Sequence, residues 1–263
     1  MIIQCIGCWK IGKILLEAIL GAWFPKSNIS IQTKSRESGD RILREYWVKL
    51  GLNPAADIIF LLLKPQQIGD VDFSWFSKNA LVFSVLAGTS IQTIQKYTGI
   101  MNVLRCMPNI AIGVNRGILG YIYSGAITTE QKEFLDQYIF PLWKVIEVYD
   151  ENHIDVITAI AWSGPAYYFF LTNILALTAE QLWLSPEVSK LLARETFFWG
   201  AYYAEYTGES IAQLIEKIAS KWGTTEAALK KFEIDELPNI VSRGVKEAYM
   251  RAQELSNSSM WAK

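Results

Sequence analysis

Histidine and cysteine are scarce in this sequence. His153 is the single histidine, and there are three cysteines among 263 residues, too few for a four-ligand zinc site without help from carboxylates. Cys5 and Cys8 form a C-x-x-C pair, but Cys5 falls in a predicted strand, whereas a redox pair usually opens a helix. The odd cysteine count argues against a disulfide framework. Metal sites and histidine-based triads are therefore disfavoured, and a reducing cytoplasm is the predicted location.

An excess of charge of either sign is also missing. There are 25 Lys and Arg residues against 26 Asp and Glu residues, which gives a formal net charge of −1. Such a chain has no global field for nucleic acid or for an anionic membrane. The N-terminus lacks a basic segment and a small-residue cleavage site, so we expect no signal peptide. A small-molecule substrate is the expected partner.

One long apolar stretch requires a separate argument. Residues 156–179 contain no charged side chain, and about 20 apolar residues suffice to span a bilayer. Polar residues interrupt this stretch, and its Ser163-Gly164-Pro165 corner would break a spanning helix. We expect instead a helix that is buried on all sides in a helical bundle or dimer.

The first half of the sequence alternates apolar runs with helical patterns. Continuous apolar runs of this kind are typical of buried parallel strands. They lie at residues 1–6, 29–33, 57–63, 80–85 and 101–105, and strand patterns at 118–123 and 143–148 extend the series. The pattern predicts an α/β class, with a Rossmann-like, doubly wound domain over residues 1–150.

The strand pattern stops near Asp150. Helical spacing fills residues 154–183, 186–206, 211–218, 225–232 and 237–255. The sequence therefore predicts a second, all-helical domain over residues 151–263. Its many aromatic side chains leave little polar surface, so we expect it to complete its core against a second copy as a homodimer or higher homo-oligomer.

A glycine-containing turn follows the first strand. Gly7, Trp9 and Gly12 occupy the three glycine positions of a G-x-G-x-x-G turn. In such a turn the backbone lies close to a pyrophosphate that is bound at the helix N-terminus. About twenty residues further on, where NAD-binding versions carry an acid, the chain has Thr33-Lys34-Ser35-Arg36. Two cations and two hydroxyls suit a 2′-phosphate, which predicts NADPH rather than NADH. Two alternatives are a turn that binds nothing and a Ser35 that only caps the next helix.

Five motifs follow one another over nearly the whole chain. They are Leu63-Lys64-Pro65-Gln66, residues 84–91 (SVLAGTSI), Arg105-Cys106-Met107-Pro108-Asn109, Ser163-Gly164-Pro165-Ala166-Tyr167 and Gly223-Thr224-Thr225. In this order and spacing they resemble pyrroline-5-carboxylate reductase. The resemblance implies a Rossmann domain, a helical domain that interlocks with a second subunit, and NADPH-dependent reduction of 1-pyrroline-5-carboxylate to proline. No metal is implied.

The resemblance also implies roles for individual residues. Ser220 and Thr225 would be catalytic, with Thr225 as the donor near the imine nitrogen. Helix capping by Thr224 or Thr225 is the alternative for these hydroxyls. The implied substrate-binding set is Ser163, Ser220, Gly223, Thr224 and Thr225, and the implied cofactor-binding set is Gly7, Trp9, Gly12, Lys34, Ser35, Arg36, Lys64, Pro65, Ala87 and Asn109.

Three tryptophans replace glycines of the family pattern. Trp9 stands in the glycine turn, Trp162 precedes the Ser-Gly-Pro corner, and Trp222 stands in Ser220-Lys221-Trp222-Gly223-Thr224-Thr225. Because neighbouring segments are apolar, we expect the indoles to pack inward and to weaken imine reduction. The alternatives are a working reductase whose indoles point away, a non-catalytic relative that keeps the dimer scaffold, and a reductase of another small imine or ketone.

Overall fold

The structure, a computed structural model, describes residues 1–8, 10–114 and 116–257, without the side chains of Lys10 and Asn257. The described chain forms two compact units. The first comprises Met1–Trp162 together with the segment that starts at Ala248, and the second is Ser163–Glu247.

An eight-stranded sheet forms the centre of the first unit. Its strands are β1 (Ile3–Ile6), β2 (Ile29–Gln32), β3 (Lys49–Leu50), β4 (Ile58–Leu61), β5 (Leu81–Ser84), β6 (Val103–Pro108), β7 (Ile118–Ser124) and β8 (Lys144–Glu147). The order is β3-β2-β1-β4-β5-β6-β7-β8, and β6 with β7 is the antiparallel neighbour pair. The first six strands have the 3-2-1-4-5-6 order of a dinucleotide-binding fold. The predicted fold class is confirmed.

Helices cover both faces of this sheet. They are α1 (Lys10–Gly21), α2 (Arg36–Tyr46), α3 (Ile91–Thr98), α4 (Thr129–Tyr138) and α5 (Asn152–Ile157). One core cluster contains Ile3 and Phe60 with residues of α1, α2 and α4. The other contains Ile6 and Ile59 with residues of α3 and α5. Neighbouring strand residues thus enter opposite clusters, and because both clusters are apolar the strands appear in the sequence as unbroken apolar runs.

Helices α6 (Gly164–Gln181), α7 (Pro186–Thr207), α8 (Ile211–Ile218) and α9 (Thr224–Ile234) build the second unit. Helix α10 (Leu237–Asn257) begins in the second unit and ends in the first. Serine hydroxyls cap α7 and α8, since Ser185 accepts from the N–H of Val188 and Ser210 from that of Gln213. Caps of this type satisfy backbone donors that a helix start leaves unpaired.

The predicted helix over residues 154–183 is interrupted in the structure. A five-residue π-helical segment, Thr158–Trp162, follows α5, and α6 starts at Gly164 with Pro165 in its first turn. Proline fits there because the first N–H groups of a helix have no partner. Among the described residues, one helical stretch, Asn152–Gln181, has the length and hydropathy of a membrane span. A single stretch of this kind is weak evidence for a membrane protein, because core helices can have the same length and hydropathy. In the single chain most of α6 is exposed, so the expected burial on all sides is not met by this chain alone.

Candidate cofactor and substrate sites

The turn between β1 and α1 depends on the absence of side chains at two positions. Gly7 has φ +83°, and a Cβ there would lie 2.7 Å from the Leu62 carbonyl oxygen. A Cβ on Gly12 would lie 2.8 Å from the Leu62 Cβ. The first and third glycines therefore hold the start of α1 close to the end of β4, as dinucleotide-binding turns require. Trp9, the middle position, lies outside the described residues.

The field at the start of α1 suits an anion. The first turn contains no acidic side chain, and helix N-termini carry unpaired N–H groups with a partial positive charge. The Gly7 N–H itself donates to the Gln32 carbonyl oxygen at 2.8 Å, which ties the turn to the end of β2. These are the features by which a helix N-terminus attracts an anion such as a pyrophosphate.

The segment after β2 contains both exposed cations and a capping serine. The Ser35 hydroxyl accepts from the Ser38 N–H at 3.3 Å. Ser35 therefore caps α2, which was the alternative to a role in phosphate binding. Lys34 Nζ lies 3.3 Å from an Asp70 carboxylate oxygen, and the Arg36 side chain is 96% exposed. Because the serine is engaged with its own helix, the two cations are the main candidates for a phosphate contact.

Four other predicted cofactor residues follow the carboxyl ends of three neighbouring strands. Lys64 and Pro65 come after β4, Ala87 after β5 and Asn109 after β6. Ligands of open α/β sheets bind at this edge. Asn109 also holds the backbone there, since its Oδ1 accepts from the N–H groups of Ala111 and Ile118 at 3.2 and 3.3 Å.

A buried ion-pair network lies next to this edge. Arg105 in β6 is 1% exposed, and its guanidinium contacts Glu151 Oε1 at 2.7 Å and Asp155 Oδ1 at 2.9 Å. The same Glu151 oxygen accepts from the Ile91 N–H at the start of α3. Arg105 stands in one of the five sequence motifs, but the sequence does not reveal these partners. The available signal was one cation in an otherwise apolar strand.

The Cys5 and Cys8 pair does not have the electrostatics of a redox site. Burial raises the pKa of the Cys5 thiol well above its usual value and raises the pKa of Cys8 to about 11. Reactive cysteines need the opposite shift, because the thiolate is the nucleophile. The two side chains are therefore best interpreted as packing residues of β1 and the turn that follows it.

A tight turn precedes α9 in the second unit. The Gly223 N–H donates to the Ser220 carbonyl oxygen at 2.9 Å, and Trp222 between them has φ +66°. A Cβ on Gly223 would lie 2.6 Å from the Ser220 hydroxyl oxygen. Glycine at this position therefore lets the Ser220 hydroxyl lie against the backbone.

The threonines after this turn do not cap the helix. Gly223 is the N-cap of α9, and the helix begins at Thr224. The capping alternative for Thr224 and Thr225 is therefore wrong. Glu226 instead links the helix to the preceding turn, because its carboxylate accepts from the Trp222 N–H at 2.6 Å. Thr225 is half-buried, and its hydroxyl has no hydrogen-bond partner among the described residues, so it remains available to a ligand.

Comparison with known proteins identifies the family. Residues 151–255 match the family model described as pyrroline-5-carboxylate reductase dimerisation. Pyrroline-5-carboxylate reductase 2 of Bacillus subtilis is 30% identical over 76% of this chain and 72% of that protein. The chain belongs to the pyrroline-5-carboxylate reductase family.

Solved structures agree with this family assignment. A pyrroline-5-carboxylate reductase from Coxiella burnetii is 28% identical, with a TM-score of 0.86 over 97% of this chain and 98% of that one. A Plasmodium falciparum pyrroline carboxylate reductase with NADP bound has a TM-score of 0.81 over 98% of each chain at 21% identity. At that identity the second comparison shows the shared fold.

The tryptophans that depart from the family pattern differ in their surroundings. Trp162 is partly buried against the core cluster that contains Ile6 and Ile59. Trp222 is 87% exposed, so the expectation that it packs inward is wrong within the described chain. Ser163, the predicted substrate residue next to Trp162, precedes α6, and its carbonyl oxygen accepts from the Ala166 N–H at 3.0 Å.

Proposed function

We propose that the protein reduces 1-pyrroline-5-carboxylate to proline with NADPH. The observation that carries the proposal is the Ser220–Thr225 segment, in which a glycine N-cap leaves the Thr225 hydroxyl without a partner among the described residues. Membership of the reductase family and the glycine turn after β1 support it. The relatives named above are pyrroline-5-carboxylate reductases.

The first unit would hold the cofactor. The turn from Gly7 to Gly12 and the N-terminus of α1 would bind the pyrophosphate. Lys34 and Arg36 would bind the 2′-phosphate, for which Lys34 must exchange its exposed contact with Asp70. When bound, NADPH supplies the hydride that the reaction requires. Lys64, Pro65, Ala87 and Asn109 would form the edge against which the cofactor lies.

The second unit would hold the substrate. The backbone N–H groups at the start of α9 and the Ser220 hydroxyl would bind the carboxylate, because a helix N-terminus favours an anion. Thr225 would donate a hydrogen bond at the imine nitrogen. A donor aimed at the atom whose charge changes during reduction stabilises the transition state more than the ground state. Ser163 would complete the substrate contacts, and the reaction needs no metal.

Assembly as a homodimer through the helical half is part of the proposal. Large apolar side chains of α6 and α7 are exposed in the single chain, namely Phe169, Phe170, Leu175, Leu192, Trp199 and Tyr202. Large exposed apolar patches mark interfaces. The match of residues 151–255 to a dimerisation domain supports a second copy as the occupant. We place the enzyme in the cytoplasm because its three cysteines are free thiols.

Substitution of the two neighbouring threonines tests the proposed chemistry. Thr225→Ala should lower the kcat for imine reduction by roughly 10- to 1000-fold, the range for loss of a positioned donor. Thr224→Ala is the comparison variant: Thr224 is exposed at the first position of the same helix, and loss of this predicted substrate contact should raise KM more than it lowers kcat. NADPH oxidation with pyrroline-5-carboxylate measures both. An unchanged kcat in Thr225→Ala, with the fold intact, would contradict the assigned role.

A further inference from the structure

Four tryptophans adopt a backbone conformation that glycine normally supplies. Trp23, Trp47, Trp183 and Trp222 have φ of 64°, 58°, 72° and 66°. A bulky residue in this left-handed region is an outlier because its Cβ crowds the next carbonyl oxygen. Of the five described non-glycine residues with positive φ, four are tryptophan, although tryptophan accounts for only 10 of 263 residues.

Three of the four end helices in the manner of glycine. Trp23 and Trp183 follow α1 and α6, and in each case the N–H of the next residue donates to a carbonyl five positions back. This bond defines a Schellman motif, whose left-handed position is usually glycine. Trp47 ends α2 with one bond from its own N–H to a carbonyl four positions back. The bonds are Phe24 N to Ile19 O at 3.4 Å, Leu184 N to Ala179 O at 3.1 Å and Trp47 N to Leu43 O at 2.9 Å.

The same chain ends other helices with glycine itself. Gly99 after α3 and Gly208 after α7 have φ of 63° and 67°. Their N–H groups donate to carbonyls four positions back, at 2.8 Å to Gln95 and 3.2 Å to Ala204. Trp47 makes the same bond with nearly the same φ. Trp47 therefore occupies a position whose backbone is equivalent to that of the chain's own capping glycines.

The fourth tryptophan stands in the turn before α9. The bond from Gly223 N to Ser220 O makes Trp222 the third residue of a four-residue turn. A positive φ at that position is typical of a type II turn, which favours glycine there. Trp222 thus stands in a different kind of turn from the other three, but its position needs the same positive φ.

The side chains do not compensate for the backbone. The four indoles are 91%, 76%, 95% and 87% exposed in the order of the chain, so they bury little apolar surface. One contact, Lys221 Nζ at 5.5 Å from the Trp222 ring centroid, is weaker than the strain. The side chains that tolerate this conformation are those of Asn and Asp, and no described Asn or Asp adopts it. Steric preference therefore does not explain why tryptophan recurs.

A relation between codons does explain it. The UGA triplet is a stop signal in most genomes, and in some genetic codes it specifies tryptophan or glycine instead. We propose that positions 23, 47, 183 and 222 are encoded by UGA and carry glycine in the protein made by its source cell. One decoding rule then accounts for four independent positions, where independent mutations would each have to introduce the same unfavourable residue.

The proposal changes the predicted chemistry of the site. A glycine in place of Trp222 would put two consecutive glycines between Lys221 and Thr224, with the backbone unchanged and its strain relieved. The same decoding at positions 9 and 162 would remove the other two departures from the family pattern. The inference itself stands on the four backbone conformations and does not depend on the proposed reaction.

Peptide mass spectrometry of the protein purified from its source cells tests the proposal directly. We expect peptides that span positions 23, 47, 183 and 222 to have the mass of glycine at each position. The gene should carry UGA at all four codons. Tryptophan at any of the four positions in the native protein, or a UGG codon there, would overturn the proposal.

A reciprocal pair of variants tests its physical premise in recombinant protein. Trp47→Gly should raise the folding equilibrium constant by about 5- to 30-fold, since left-handed strain is removed and little burial is lost. Gly208→Trp is the matched reverse variant, because a Cβ there meets nothing within 4 Å and only the backbone is affected. It should lower the constant by a similar factor. A loss of stability in Trp47→Gly would overturn the inference.

Discussion

The two units of this chain differ in how far they bury their own apolar side chains. In the α/β unit, helices cover both faces of the sheet, and residues such as Ile58 and Phe60 are fully buried. In the helical unit, the buried residues of α6 and α7 are small, namely Gly164, Ala176, Ser189 and Ala193. Their large apolar neighbours remain exposed. A strand pattern thus predicts burial within the chain, whereas an apolar helix pattern does not specify which chain buries it.

The largest expected effect concerns this difference in burial. Phe170→Asp places a charge on the apolar surface of α6 and should abolish the dimer, because an unpaired charge at a buried interface costs several kcal/mol. Tyr149→Asp, at an exposed position of the α/β unit, should leave assembly unchanged. Sedimentation velocity measures both. A stable folded monomer of the unchanged chain at micromolar concentration would contradict the comparison.

The buried network of the α/β unit should be the next most sensitive. Arg105→Leu leaves the carboxylate of Asp155, which is 6% exposed, without its cation and should lower the free energy of unfolding by about 3 to 5 kcal/mol. Lys13→Met breaks an exposed pair, in which Nζ lies 2.6 Å from Glu45, and should have a much smaller effect. Denaturant unfolding compares the two. Equal effects would show that burial of the Arg105 network adds nothing.

The preference for NADPH over NADH should depend on residues of the α/β unit alone. NADPH should bind more tightly than NADH by about 1 to 3 kcal/mol if Lys34 and Arg36 contact the 2′-phosphate. The double variant Lys34→Ala/Arg36→Ala should remove most of this difference and leave NADH affinity nearly constant. Calorimetric titration provides the affinities. Equal binding of the two cofactors by the unchanged chain would refute the assignment.

The smallest effect is a pH dependence. Burial raises the pKa of Cys8 from 9.0 to about 11, so the folded state favours the neutral thiol. This contribution to stability is fully present below pH 9 and is lost as pH rises through 11. Alkylation of Cys8 at pH 8 should be about 100-fold slower than that of an unperturbed thiol. A fast reaction at pH 8 would show that the thiol is accessible and ionised.

Sequence patterns were sufficient for the architecture but only partly for the site. The apolar runs identified the central strands of the sheet because β1, β4, β5 and β6 are buried on both faces. They gave a strand at 101–105, whereas β6 is Val103–Pro108, because pairing with β7 extends it through Met107 and Pro108. The motifs located Thr225, but not the fact that Gly223 rather than a threonine caps α9. The two-domain boundary at residue 150 stays a prediction.

The rest depends on three-dimensional contacts. The partners of Arg105 lie 46 and 50 residues away in the sequence, and spacing alone does not pair them. Trp222 is exposed and lies in a left-handed turn, and neither helical nor strand spacing reveals such a turn. Apolar neighbours in the sequence therefore gave the wrong expectation for this indole.

Imine reduction by two forms of the chain tests the central claim most directly. The first has tryptophan at positions 9 and 222, and the second carries Trp9→Gly and Trp222→Gly. With NADPH and pyrroline-5-carboxylate, we expect weak turnover for the first and a kcat/KM at least about tenfold higher for the second, because the middle glycine of the turn after β1 lets the backbone approach the pyrophosphate. A tenfold change corresponds to roughly 1.4 kcal/mol in the activation barrier. Equal or lower activity in the glycine form would contradict the account.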